Sequence, residues 1–139
     1  MKWVPSNGGV SMSKSVWRLT VRSEFCAAHA LRHYKGKCER LHGHNYGVEV
    51  TVEGSDLSAD TELLMDFGEL KALVKTALED LDHTLLNDMP PFDRINPSSE
   101  NIARHVWQIL APQLPGHVRL TAVTIAEKGI QSATYQELS

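Results

Sequence analysis

The chain has 139 residues, 42% hydrophobic and 22% charged, with 14 basic against 17 acidic side chains for a net charge of −3. That length suits one domain, the apolar share excludes a disordered chain, and the charge argues against a dedicated nucleic-acid binder. The longest uninterrupted apolar run is the four residues Phe25–Ala28, far short of the roughly 20 that span a bilayer, and the two cysteines are too few for a disulfide framework.

Residues 1–14, rich in Ser, Gly, Lys and Pro and without periodicity, read as a flexible N-terminal extension to a single domain over 15–139. They hold no apolar core of the signal-peptide kind, so the expected location is cytoplasmic. From Val16 the pattern alternates: Trp17, Leu19, Val21, Phe25, Ala27 and His29 share one parity, and Arg18, Thr20 and Arg22 the other. After a polar stretch, a second alternating run places His42, His44, Tyr46, Val48, Val50 and Val52 on one face, with Glu49, Thr51 and Glu53 opposite. These are expected to be two antiparallel strands joined by a loop.

Asp66 then precedes Phe67, Leu70, Val74, Ala77, Leu78 and Leu81, a helical stripe, and Asp66 with Glu69 has the spacing of a capping box. A second helix carries Ile102, Val106, Ile109 and Leu110 on one face, with Asn96 or Ser98 as candidate caps and Pro112 and Pro115 marking its end. Strands over Val118–Glu127 and Gln131–Leu138, turned at Lys128-Gly129-Ile130, close the chain. The order is ββααββ: an α+β fold with a four-stranded antiparallel sheet and two helices on one face.

The stretch Cys38-Glu39-Arg40-Leu41-His42-Gly43-His44 carries the chemistry. On a strand, His42 and His44 point the same way, with Cα atoms about 6.6 Å apart at ~3.3 Å per residue. Two imidazoles so spaced can converge on one ion, and His29, ending the preceding strand on the matching face, is the candidate third ligand. Three neutral imidazoles suit Zn2+ and leave a coordination position for substrate. A single histidine on an apolar strand face is ordinarily a hydrogen-bonded core residue; the grouping of three sets this case apart. His33, His105 and His117 have no such partners and read as surface or structural residues.

Cys38 lies in a locally basic segment with Arg32, Lys35, Lys37 and Arg40 against Glu39, an environment that favours thiolate. It is a candidate nucleophile, general base or fourth metal ligand, against the plainer reading of a loop thiol. Cys26 alternates to the other face and is assigned no chemistry. The pair Asp82-His83 has the composition of an oriented proton relay, although adjacent Asp and His are also common at helix ends. Glu127 shares the parity of Val123 and Ile125; it either faces inward, where a buried carboxylate needs a partner such as an amidine-like ligand edge, or is an ordinary strand-end glutamate.

Six motifs in order, Phe25-Cys-Ala-Ala-His29, Cys38-x3-His-Gly-His44, Met65-Asp-Phe67, Leu81-Asp-His83, Asn96-Pro-Ser-Ser-Glu100 and Ala126-Glu127, resemble the 6-pyruvoyltetrahydropterin synthase family. The three-residue gap between Cys38 and His42 is similar to its bacterial 6-carboxytetrahydropterin synthase branch. The resemblance implies the tunnelling fold, with subunits assembling through barrels into a homohexamer, a dimer of trimers, and sites lying between subunits. It implies zinc on His29, His42 and His44, Cys38 as the proton-abstracting residue, Asp82 and His83 as the catalytic relay, and Glu127 as the anchor of the pterin ring. It implies a pterin triphosphate substrate, 7,8-dihydroneopterin 3'-triphosphate, converted to 6-carboxy-5,6,7,8-tetrahydropterin in queuosine synthesis. The basic 32–40 loop would contact the triphosphate.

Glu39 overlaps the cysteine motif, and relatives that form 6-hydroxymethyl-7,8-dihydropterin for folate synthesis are similar but use a glutamate in this register. The alternatives are therefore such an activity, alone or beside the first, a 6-pyruvoyltetrahydropterin synthase, or, in a different class, a non-enzymatic zinc or pterin-binding module.

Overall fold

Period-two alternation builds the two longest strands, β1 (Trp17–His29) and β2 (His42–Gly54), with β-branched Val48, Val50 and Val52 at inward positions of the second. They pair antiparallel along their whole length, Trp17 opposite Gly54 and His29 opposite His42. In the computed structural model residues 15–34, 36 and 40–138 are described. The extension 1–14 lies outside the described residues, as do Cys38 and Glu39.

Helix α1 (Phe67–Leu78) begins at Asp66, whose side chain accepts from the Gly68 N–H at 2.6 Å. The carboxylate therefore caps the second helical position and not Glu69, as a capping box would require. Leu70, Val74, Ala77 and Leu78 are buried, whereas Phe67, in the first turn, is exposed. Helix α2 (Ser99–Leu110) is capped by Ser98, whose hydroxyl accepts from the Asn101 N–H at 3.1 Å. It runs into a short 3-10 turn at Ala111–Gln113, where Pro112 supplies no amide donor. Strands β4 (Arg119–Glu127) and β5 (Gln131–Tyr135) follow, the last ending at Tyr135 and not Leu138. Between them Lys128 and Gly129 both take positive φ, 56° and 69°, a conformation open to Gly129 at no steric cost.

The sheet has five strands and not four. Thr84–Leu85 forms β3, which pairs in parallel with Ala27–Ala28 of β1, so the sheet order is β3-β1-β2-β4-β5 and the sheet is mixed. Two residues are too few to show a period-two pattern. They are drawn to the β1 edge by tertiary bonds: Asp82 Oδ1 accepts the Cys26 N–H at 2.9 Å, and the His83 N–H donates to the Cys26 carbonyl at 2.5 Å.

One apolar cluster joins Val21, Phe25, Val48, Val50, Val123 and Ile125 of the sheet to Leu70 and Val74 of α1 and Ile102, Val106 and Leu110 of α2. Both helices thus cover one sheet face. The other face is polar, with cross-strand pairs Thr20–Thr51 at 3.0 Å, Arg22–Glu49 at 3.6 Å and Thr124–Thr134 at 2.6 Å. On that polar side Glu53 is nonetheless buried, because Arg18 and Arg119 close over its carboxylate at 2.9 and 2.5 Å. Gly54 ends β2 where a Cβ would sit 2.6 Å from the His117 carbonyl, so only glycine allows that approach. His117 itself is structural, its Nε2 lying 2.8 Å from the Leu64 carbonyl. Among the described residues no helix is long and apolar enough to cross a membrane.

Candidate active site

The end of β1, the start of β2, the end of β4 and the first turn of α2 meet at one edge of the helix-covered face. Register explains the meeting. His29 pairs directly with His42, Ala27 with His44, and Tyr46 with Glu127. Same-face residues on paired strands lie within side-chain reach. The rings of His29, His42 and His44 therefore cluster, with centroids 4.6 to 5.3 Å apart, and one donor nitrogen from each lies within 4.8 Å of the others.

Two of these rings are held by main-chain carbonyls. His29 Nδ1 lies 2.6 Å from the Pro97 carbonyl and His42 Nδ1 lies 2.7 Å from the Arg40 carbonyl. A carbonyl only accepts, so each Nδ1 carries the proton and each Nε2 presents a lone pair. Those two Nε2 atoms face each other at 3.0 Å. Two lone pairs so placed repel unless a cation or a proton lies between them. Ligands at 2.0–2.1 Å around a tetrahedral ion stand about 3.4 Å apart, close to what is built here. His44 contributes a buried Nδ1 with no hydrogen-bond partner among the described residues. Burial holds His29 and His44 below the ordinary imidazole value. His29 and His44 are thereby neutral near pH 7, as metal ligation requires. The donor set fits a borderline ion such as zinc.

Glu127 faces inward beside this cluster. Its Oε1 accepts from the Ser99 hydroxyl at 2.9 Å, its Oε2 from the Gln131 amide at 3.2 Å, and His44 Nε2 stands 3.9 Å from Oε2. Burial pushes its carboxyl up, but the hydrogen bonds from Ser99 and Gln131 and the two nearby histidines outweigh it, and the net shift is downward. It is an ionised carboxylate with lone pairs to spare. Tyr46 packs between, stacked on Phe25 at 4.9 Å and edge-on to His29 and His44 at 5.6 and 5.4 Å. Burial raises its phenol well above the ordinary value, so it stays protonated.

Asp82 and His83 are brought together but not brought to the histidines. His83 Nδ1 lies 3.0 Å from Asp82 Oδ2, while Asp82 Oδ1 is bound to the Cys26 amide on the β1 edge. That amide bond is the first cause of an Asp82 carboxyl below its ordinary value, with the contact to His83 reinforcing it. His83 adopts φ 59°, a left-handed conformation uncommon outside glycine. His83 borders an open depression of about 610 Å³ at this edge, lined also with Cys26, Gly43, Asn45, Thr84 and, from the histidine cluster, His44. There Cys26 donates its thiol proton to Asn45 Oδ1 at 2.8 Å.

Arg32 is not a free phosphate contact. Its guanidinium donates to the carbonyls of Ile95, Asn87 and Phe92 at 3.1, 3.3 and 2.8 Å. Ser99, Gln131 and the Pro97 carbonyl escape sequence reasoning. Ser99 and Pro97 sit inside the Asn96–Glu100 motif, but nothing in the pattern says which strand they reach. Tyr46 had a signal, the parity of His42 and His44.

A helix-backed sheet with three convergent imidazoles and an ionised carboxylate at one edge defines an α+β enzyme with a candidate metal centre. The sequence profile of the 6-pyruvoyl tetrahydropterin synthase family matches residues 18–138, and the chain belongs to that family. It is 36% identical over 110 residues to a dihydroneopterin monophosphate aldolase of Pyrococcus furiosus, covering 79% of this chain and 89% of that protein. It is 35% identical over 124 residues to a 6-carboxy-5,6,7,8-tetrahydropterin synthase of Synechocystis sp., covering 86% and 93%. The fold is similar to the structure of Caenorhabditis elegans 6-pyruvoyl tetrahydropterin synthase, with TM-score 0.77, 25% identity and coverage of 92% and 100%. The chain is a tetrahydropterin-synthase-like enzyme of lyase type.

Proposed function

We propose that this chain is a zinc-dependent 6-carboxytetrahydropterin synthase. With consumption of one water it converts 7,8-dihydroneopterin 3'-triphosphate to 6-carboxy-5,6,7,8-tetrahydropterin, releasing acetaldehyde and triphosphate, as a step toward queuosine and related deazapurines. The observation that supports it most is the facing of the His29 and His42 Nε2 atoms at 3.0 Å, with His44 beside them and 3.9 Å from Glu127.

His29, His42 and His44 hold the zinc, which when bound supplies Lewis-acid polarisation of the substrate's side-chain hydroxyls. Glu127 accepts the two N–H donors of the amino-pyrimidine edge, which sets the pterin ring beside the histidines. Cys38 removes the proton from the side-chain carbon. Asp82 fixes the tautomer of His83 and leaves its Nε2 facing outward to carry the proton onward. Because that pair lies on the polar sheet face, it serves the site of a neighbouring copy in a homohexamer.

Mass spectrometry of the products from the triphosphate tests this. 6-Carboxytetrahydropterin with acetaldehyde is expected; a pyruvoyl or hydroxymethyl product overturns it. Cys38→Ala is expected to abolish turnover with zinc retained. The second reading, formation of 6-hydroxymethyl-7,8-dihydropterin, is favoured by Glu39 beside Cys38 and by the likeness to the Pyrococcus aldolase. The same product assay, run on Glu39→Gln, separates the two.

A further inference from the structure

Four consecutive residues ahead of and into α2 each hold a different part of the site. Asn96 binds the main chain of Arg32 with both amide atoms, at 2.8 and 2.9 Å. The Pro97 carbonyl takes the His29 Nδ1 proton, Ser98 caps the helix, and the buried Ser99 hydroxyl donates to Glu127 Oε1. Ser99 is thus fixed in place by the helix start, by a cap and by a clamp on a separate loop. Its position is not adjustable, and the carboxylate answers to it.

The terminal torsion of a glutamate is broad, and a carboxylate with one partner turns readily about it. Glu127 has one donor on each oxygen: Ser99 on Oε1 and Gln131, across the β4–β5 turn, on Oε2. Together they fix the carboxylate plane, and each oxygen keeps a further lone pair for a ligand. Two parallel N–H···O bonds need the donor and acceptor planes to coincide, whereas a single hydrogen bond tolerates rotation. We infer that Ser99 is a positioning residue that orients Glu127 to select ligands with a flat edge bearing two adjacent N–H donors. The inference rests on the reading of Glu127 as the pterin anchor.

The test uses the zinc-loaded full chain and two fluorescent probes: pterin, which carries the 2-amino group, and lumazine, in which a carbonyl replaces it. Ser99→Val and Ser99→Thr have the same shape and differ in the hydroxyl, so any packing fault is common to both. The valine variant is expected to bind pterin about tenfold more weakly and to lose about the same factor of its preference over lumazine. Its KM should rise about tenfold with kcat within threefold and zinc content unchanged, and the threonine variant should restore wild-type selectivity. If Ser99→Val keeps the preference while Glu127→Ala loses it, the positioning role is overturned and the anchor stands. If Glu127→Ala binds pterin as the wild type does, the anchor reading falls and the role of Ser99 with it.

Discussion

Two regions flank the end of β1, built from alternate residues of the same strand. On the helix-covered side, Ala27 and His29 face a buried cluster in which two imidazoles are locked by carbonyls and a carboxylate is locked by two donors. On the polar side, Cys26 faces an Asp–His pair whose side chains are 41% and 79% exposed, standing on a left-handed backbone. The first region has its groups converging on one point inside a single chain. The second has groups that are oriented but aimed outward, beside an open depression. Burial sets the groups of the first against one another, and exposure leaves those of the second open to solvent.

The strongest way to break this contrast is at the buried side. His42→Ala should reduce zinc from about one per chain to near zero by metal analysis and abolish turnover; retained zinc would show that the three rings do not act as one ligand set. On the polar side, His83→Ala should leave zinc and pterin binding intact while kcat falls about a hundredfold or more. Loss of zinc in that variant would mean the two faces are not separate.

Glu53 lies at the far end of both, and its substitution should move stability alone. Hydrogen bonds from Arg119, then Arg18, hold its carboxyl below the ordinary glutamate value, so its folded form is depressed relative to the unfolded chain. That stability is present above the unfolded value of about 4.3 and is lost as pH falls from there through the folded value. Glu53→Gln should cost about 1 kcal/mol at neutral pH and flatten the acid limb of a Tm-against-pH curve, with zinc binding unaltered. A limb as steep as the wild type's would assign the acid sensitivity to other carboxylates. The smallest effect is expected from Ser98→Ala, about 1 kcal/mol or less from the lost cap, read by thermal denaturation.

Much of this contrast is legible in the alternation of β1 and β2. Parity along Phe25-Ala27-His29 and His42-His44-Tyr46 already assigns the three imidazoles to one face and Cys26 to the other. The helices were equally legible at Leu70–Leu78 and Ile102–Leu110, because a buried stripe repeats at every turn. Thr84–Leu85 was not, since two residues carry no period, and the bonds that recruit them come from Asp82 and Cys26, distant in sequence. Nor was Arg32, which reads as a free cation among basic neighbours until three carbonyls from the loop before α2 surround it.

Residue order by itself determined which side chains share a face, because the strand period is two whatever lies around it. It also determined the chemistry on offer: three imidazoles, an Asp–His pair and a strand-end glutamate. Only the tertiary structure decided which of these meet. Strand register set His29 against His42, the α2 start delivered Ser99 and the Pro97 carbonyl to their partners, and the β1 edge turned the Asp–His pair to the opposite side. Such contacts depend on loop closure and packing across the whole chain, and no local pattern encodes them.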